Sequence, residues 1–227
     1  MEQHVVKDFS SLLEEGKIKG LTPKQIKAHL GLYEGYVKKL NEIQQRVDDF
    51  YKKLKDDPEI LQKNANFSYG EFSELKRREV VAYNGSYLHK AYFENLLPNN
   101  EPDDQMKISL KDSFGSIETW KADLRASAAS TPGWVLLAWD KTRNRLNNWV
   151  LYEHSVNVPA ISQDVVLAMD CWEHAYMIDY GTDKGSYVKT FVDNINWQEV
   201  NKRFNDILKG KASSAMNTKG ASKPKLK

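Results

Sequence analysis

The sequence predicts an α+β protein: an amino-terminal antiparallel helical hairpin, then a carboxy-terminal domain in which a small three-stranded antiparallel sheet is flanked by helices. Three observations predict it. Apolar residues keep helical spacing through two long amino-terminal stretches, a connection rich in Pro, Asn and acids follows, and beyond it short aromatic runs are separated by turn residues.

The first helix is read from Thr22 to about Lys55. Thr22-Pro23 suits a helix start, and Ile26, Leu30, Tyr33, Tyr36, Val37, Leu40 and Ile43 recur at helical spacing. The second runs from about Tyr69 to Leu97, carries Phe72, Leu75, Val80, Tyr83, Tyr87, Leu88, Tyr92 and Phe93, and ends in Leu97-Pro98-Asn99-Asn100. Residues Pro98 to Gln105 read as the connection between the two halves. One or two helices are expected between about Ser109 and Ala129. Trp134 to Trp139 and Asn148 to Tyr152 form a hairpin across Asp140-Lys141-Thr142-Arg143-Asn144, and Val165 to Met169 makes a third run. Helices are expected over Trp172 to Tyr180, from Tyr187, and over Trp197 to Leu208. The expected domains are therefore residues 1–97 (helical hairpin) and 98–208 (α/β), followed by a basic tail, 209–227. That tail of Lys, Ser, Ala, Gly and Asn has almost nothing to bury, which predicts disorder.

With 227 residues, 41% hydrophobic and 28% charged, the chain has material for one generous core or two small ones. A net charge of +2 gives no reason to expect nucleic acid or an anionic membrane as partner. Nowhere do the roughly 18 apolar residues of a membrane span run together. The single cysteine, Cys171, leaves no internal disulfide, and its apolar surroundings suit a buried, reduced thiol. Met1 to Asp8 is charged and lacks the apolar stretch and cleavage site of a secretory signal, so a cytoplasmic location is expected.

Of the five histidines, His29, His89, His154 and His174 fall in segments predicted to be ordered. Imidazoles and carboxylates are the usual ligands of redox-active first-row metals, whereas one thiol is too few for a structural zinc or iron–sulfur site. Asp170 and His174, four apart across a predicted strand-to-helix junction, can converge on one ion. Taken singly, each has a plainer explanation. A histidine on an apolar helix is usually a hydrogen-bonded core residue, and Asp170 would serve as a helix cap.

The string Asp170-Cys171-Trp172-Glu173-His174-Ala175-Tyr176 resembles the D-x-W-E-H-A-Y signature of the iron/manganese superoxide dismutases. Asp112-Ser113-Phe114-Gly115-Ser116 with Trp120-Lys121, Gly133-Trp134 and Asn196-Trp197 are similar to further strings of that family, in the same order, so the resemblance spans about His29 to Leu208. It implies a superoxide dismutase with one Fe or Mn ion per subunit, held by His29, His89, Asp170 and His174. Superoxide is the implied substrate and a homodimer or tetramer the implied assembly, without nucleic acid, membrane or organic cofactor. The other reading is a catalytically silent homologue kept as a dimeric scaffold, which would ordinarily lose ligands; here all four positions are filled.

Two departures from the family pattern stand out. His89 keeps its place before an aromatic pair but lacks the usual preceding asparagine. On the first helix the family has a second histidine four residues after the ligand and a tyrosine eight after, whereas His29 is followed by Tyr33 and Tyr36. A one-residue deletion makes Tyr36 the match for the substrate-funnel tyrosine and puts Tyr33 in place of the second histidine; the spacing keeps all three on one helix face. His154 resembles the family's histidine variant of the residue that hydrogen-bonds metal-bound solvent and so tunes the reduction potential. Tyr36 and His154 are thus the implied catalytic side chains. Trp134 and Trp172 match tryptophans lining the metal pocket. Glu173 and Tyr176 match residues bridging two subunits, with Tyr33 replacing Tyr176's usual histidine partner.

Overall fold

In the computed structural model, which describes residues 3–154 and 163–210, helix α1 spans Pro23–Lys53. It starts where the sequence predicts: the Thr22 hydroxyl oxygen accepts from the Gln25 amide at 3.2 Å, and Pro23 fills a position whose N–H needs no helical partner. Its buried strip includes Ile26, His29, Tyr33, Val37, Leu40, Ile43, Val47 and Phe50, at the three-and-four spacing of an amphipathic helix. The one-turn helix α2 (Ile60–Lys63) fills the bend, and α3 (Glu71–Glu94) returns along α1. Toward the tip, Leu40, Ile43, Val47, Phe50, Leu75 and Ala82 form a small core of their own. At the open end both helices enter the main core around the sheet.

The connection is shorter than its composition predicts. Helix α4 spans Asp104–Phe114, five residues ahead of the expected Ser109, because the Asp103 carboxylate caps it, accepting from the Met106 amide at 2.8 Å. Helix α5 (Ile117–Ala129) opens on Ser116, whose hydroxyl accepts from the Thr119 amide at 2.9 Å. Strands β1 (Trp134–Asp140), β2 (Arg145–Leu151) and β3 (Gln163–Asp170) form the sheet, in the order β2-β1-β3, antiparallel throughout. β2 begins earlier than expected, at Arg145. The turn ahead of it is tight: Asp140 Oδ1 accepts from the amides of Thr142 and Arg143 at 2.9 and 3.2 Å, and Asn144 takes a φ of 50°. The register pairs Trp134 with Asp170, so the two side chains emerge side by side on one face.

The helix expected over Trp172 to Tyr180 is broken. A 3-10 turn, Glu173–Ala175, is followed by Tyr176 at φ −146° and only then by helix α6 (Met177–Tyr180). At the break the side-chain amide of Gln25 takes up backbone groups that a continuous helix would pair with each other. Helix α7 (Lys184–Asp193) starts ahead of the expected Tyr187 because Asp183 caps it, its Oδ1 accepting from the Ser186 amide at 3.0 Å. Helix α8 (Trp197–Leu208) follows the expected bounds.

Helices α3 and α8 pack on β3, and α4 and α5 on β2. Arg203 of α8 is fully buried and joins three elements. Its guanidinium donates to Glu94 Oε2 at 3.0 Å, Asn95 Oδ1 at 3.1 Å and the Val166 carbonyl at 2.7 Å. The end of α3 is thereby tied to the strand that carries Asp170. None of the described helices is long and apolar enough to cross a membrane. The expected tail from residue 211 onward, and the loop that follows His154, lie outside the described residues.

Candidate metal centre

His29 from α1, His89 from α3, Asp170 at the end of β3 and His174 in the 3-10 turn converge, with one ligand atom from each lying within 4.8 Å of the others. The Nε2 atoms of His29, His174 and His89 stand 3.0, 3.2 and 3.6 Å from Asp170 Oδ2. The sequence-predicted set of four is therefore one cluster in space.

Contacts from outside the cluster orient His89 and Asp170. His89 Nδ1–H donates to the Gly85 carbonyl at 2.7 Å, which fixes the tautomer and leaves Nε2 with its lone pair toward the cluster. That Nε2 is buried with no hydrogen-bond partner among the described residues, the situation a metal ion relieves. Burial pulls His89 down to about 3 and lowers His29 as well, so both are neutral near pH 7 and free to coordinate. For Asp170, burial pushes upward, but hydrogen bonds from His174 and His29 outweigh it and hold the carboxyl well below the usual range. Its Oδ1 also accepts from the Trp172 amide at 2.9 Å, and its backbone carbonyl from the Tyr187 hydroxyl at 2.6 Å. Three imidazoles and one carboxylate, without a thiolate, form a donor set that fits iron or manganese.

Aromatic rings wall the cluster. Tyr36 lies with its ring centre 5.1 Å from that of His89 and 4.9 Å from that of His154. Trp134 stands 5.1 Å from His89, and Trp172 6.3 Å from His174. Burial, and secondarily the Asp170 charge, raise the Tyr36 phenol above its ordinary value. His154 is buried and lowered by that burial; its Nε2 has no hydrogen-bond partner among the described residues, and its carbonyl accepts from Asn84 Nδ2.

Tyr33, Glu173 and Tyr176 stand apart from this group. Tyr33 is buried with its ring 5.9 Å from Phe9, and its hydroxyl accepts from the Lys7 amide at 3.0 Å. Glu173 is exposed, and Tyr176 stacks on Tyr187 at 5.0 Å.

Sequence reasoning missed four contributors: Gln25, Gly85, Tyr92 and Tyr187. A Cβ on Gly85 would lie 2.5 Å from Tyr36 Cδ1, so this glycine admits the Tyr36 ring. A glycine inside an otherwise regular helix is the signal that could have found it. Tyr92, with its ring 4.8 Å from His29, and Tyr187, which reaches the Asp170 backbone, were legible only as core aromatics.

Hairpin, sheet and cluster together define the class: a mononuclear metal-dependent protein with a histidine–carboxylate site. The description of the iron/manganese superoxide dismutase carboxy-terminal domain matches residues 102–203. The chain is 34% identical over 201 residues to the superoxide dismutase (Fe) of Aquifex aeolicus, covering 87% of this chain and 90% of that protein. It is 32% identical over 195 residues to the superoxide dismutase (Fe) of Cupriavidus metallidurans, covering 84% and 92%. Against the superoxide dismutase (Mn) 1 of Halobacterium salinarum, identity is 36% over 128 residues, 55% of this chain and 64% of that protein. The chain belongs to the iron/manganese superoxide dismutase family.

Proposed function

We infer that this chain is a superoxide dismutase, converting two superoxide anions and two protons to dioxygen and hydrogen peroxide at one iron or manganese ion held by His29, His89, Asp170 and His174. The observation that carries the ligand assignment is the approach of three imidazole Nε2 atoms to one carboxylate oxygen, 3.0 to 3.6 Å away, in a chain of this family. All four ligand positions are filled and converge, which removes the reason for a silent scaffold.

His29, His89, Asp170 and His174 would hold the iron or manganese ion, which would supply the electron exchange. The protein's part is proton supply and exclusion of water. Tyr36, its phenol held protonated by burial, presents a hydroxyl that can donate to an arriving anion. His154, neutral and with its Nε2 unengaged among the described residues, is the second polar group facing the same space and passes a proton at that nitrogen. Trp134 and Trp172 offer rigid apolar walls that keep bulk water from the cluster and so strengthen these interactions.

The reading extends to assembly, place and organisation. A homodimer is supported by exposed Glu173 and by Met177 and Ile178, 48% and 47% exposed, on the segment that carries His174. The activity is assigned to the cytoplasm, in an antioxidant role. The division after Leu97 gives each half two of the four ligands. Metal analysis with a superoxide-decay assay tests the whole: the metal-loaded chain should accelerate decay and the chelator-stripped chain should not. A metal-loaded chain that leaves decay unchanged would overturn the assignment.

A further inference from the structure

Of the four ligands, His174 has the weakest local support. Its side chain is 28% exposed, against 2% for His29 and none for His89 or Asp170, and it sits in a turn of three residues. Its carbonyl and the Ile178 amide are four residues apart, the pair that an unbroken α-helix joins directly. Here they are joined through another residue. Gln25, 1% exposed on α1, donates from Nε2 to the His174 carbonyl at 2.6 Å and accepts at Oε1 from the Ile178 amide at 2.9 Å. The side-chain amide is spliced into the broken helix in place of one helical hydrogen bond. Beside it, the Thr22 amide and hydroxyl donate to the Asp179 carboxylate at 2.6 and 2.7 Å, holding the same two segments together.

We propose that Gln25 is a positioning residue for the metal centre: its amide opens the segment after Asp170 and sets the backbone of His174, one turn away from His29 on the same helix. Gln25 lies four residues before His29, so the imidazole from the amino-terminal half and the imidazole from the carboxy-terminal half are referenced to a single turn of α1. A carboxylate in the place of Gln25 would keep the acceptor for Ile178 and lose the donor for His174. An apolar side chain of the same length would lose both.

The inference rests on the ligand assignment above, and its test separates the two. The parent protein, Gln25→Met, Gln25→Glu and the neighbouring control Thr22→Ala would each be loaded with metal. Metal loss to excess chelator and the visible ligand-field absorption would then be recorded. Both Gln25 variants should lose metal about tenfold faster than the parent, the scale expected when a partner that orients a ligand is removed, and should shift the absorption band. Thr22→Ala should lower thermal stability while leaving the band in place. If Gln25→Met fails to fold, Gln25→Glu, which keeps one of the two bonds, decides alone. Parent-like metal loss and an unshifted band in a folded Gln25 variant would overturn the positioning role and leave the ligand assignment standing. A parent that takes up no metal would overturn both.

Discussion

His29 and His89 project from the interiors of α1 and α3, helices of 31 and 24 residues, whereas Asp170 ends a strand and His174 sits in a three-residue turn. The first pair is placed by regular backbone: once α1 and α3 pack, their helical phase brings both rings to the interface. The second pair is placed by hydrogen bonds from elsewhere, Tyr187 to the Asp170 carbonyl and Gln25 to the His174 carbonyl. In the hairpin, site and fold are therefore one structure. In the carboxy-terminal half they are separable, and substitutions there can disturb the centre while the fold stands.

The largest expected effect sharpens that contrast. Asp170→Ala removes the only anion of the cluster and should reduce metal content and superoxide decay to background, while far-ultraviolet circular dichroism of the apoprotein stays close to the parent's. An apoprotein that unfolds would show that Asp170 is structural as well, and would break the comparison.

A residue at the end of α3 should behave in the opposite way. Glu94→Ala leaves the fully buried Arg203 with only the more distant Glu199 carboxylate, at 3.7 Å, and should cost about 3 kcal/mol of apoprotein stability in urea. Its ligands are untouched, so the protein that remains folded should bind metal as the parent does.

Acid should weaken the apoprotein through the buried histidines of the hairpin. Unfolded histidine takes up its proton near 6.5, but buried His89 resists until about 3. Between those values the unfolded chain binds more protons, so stability falls as pH drops through this window. Asp170, lowered in the fold, adds loss of the same sign below its ordinary value of 3.8. Urea midpoints at pH 7 and pH 5 check this, and His89→Leu should flatten the dependence.

A smaller effect is expected from His154→Gln. His154 supplies no ligand, so metal content should hold, while the ratio of iron-supported to manganese-supported activity should change by about tenfold. An unchanged ratio would mean that the altered surroundings of this centre do not set its metal preference.

Much of this was legible in the sequence, and the unread parts share a cause. Thr22-Pro23, the apolar stripe of α1 and the aromatic runs of the sheet declare themselves locally, and the Asp170 to Tyr176 string marks the centre. The early start of α4 was hidden because Asp103 caps a helix from inside an acidic stretch that otherwise reads as loop. The break at Tyr176 was illegible because its cause, Gln25, lies 149 residues from His174 in the chain. Buried Glu94 and Arg203 were equally silent, since charged residues default to the surface unless a distant partner meets them.

The central claim is tested most directly by preparing apoprotein, reconstituting it separately with iron and with manganese, and following superoxide decay by stopped flow against Asp170→Ala treated in the same way. At least one reconstituted form of the parent should take up one ion per chain and accelerate decay in proportion to its metal content, with the variant at background. Stoichiometric uptake of both metals with no acceleration by either would contradict the account.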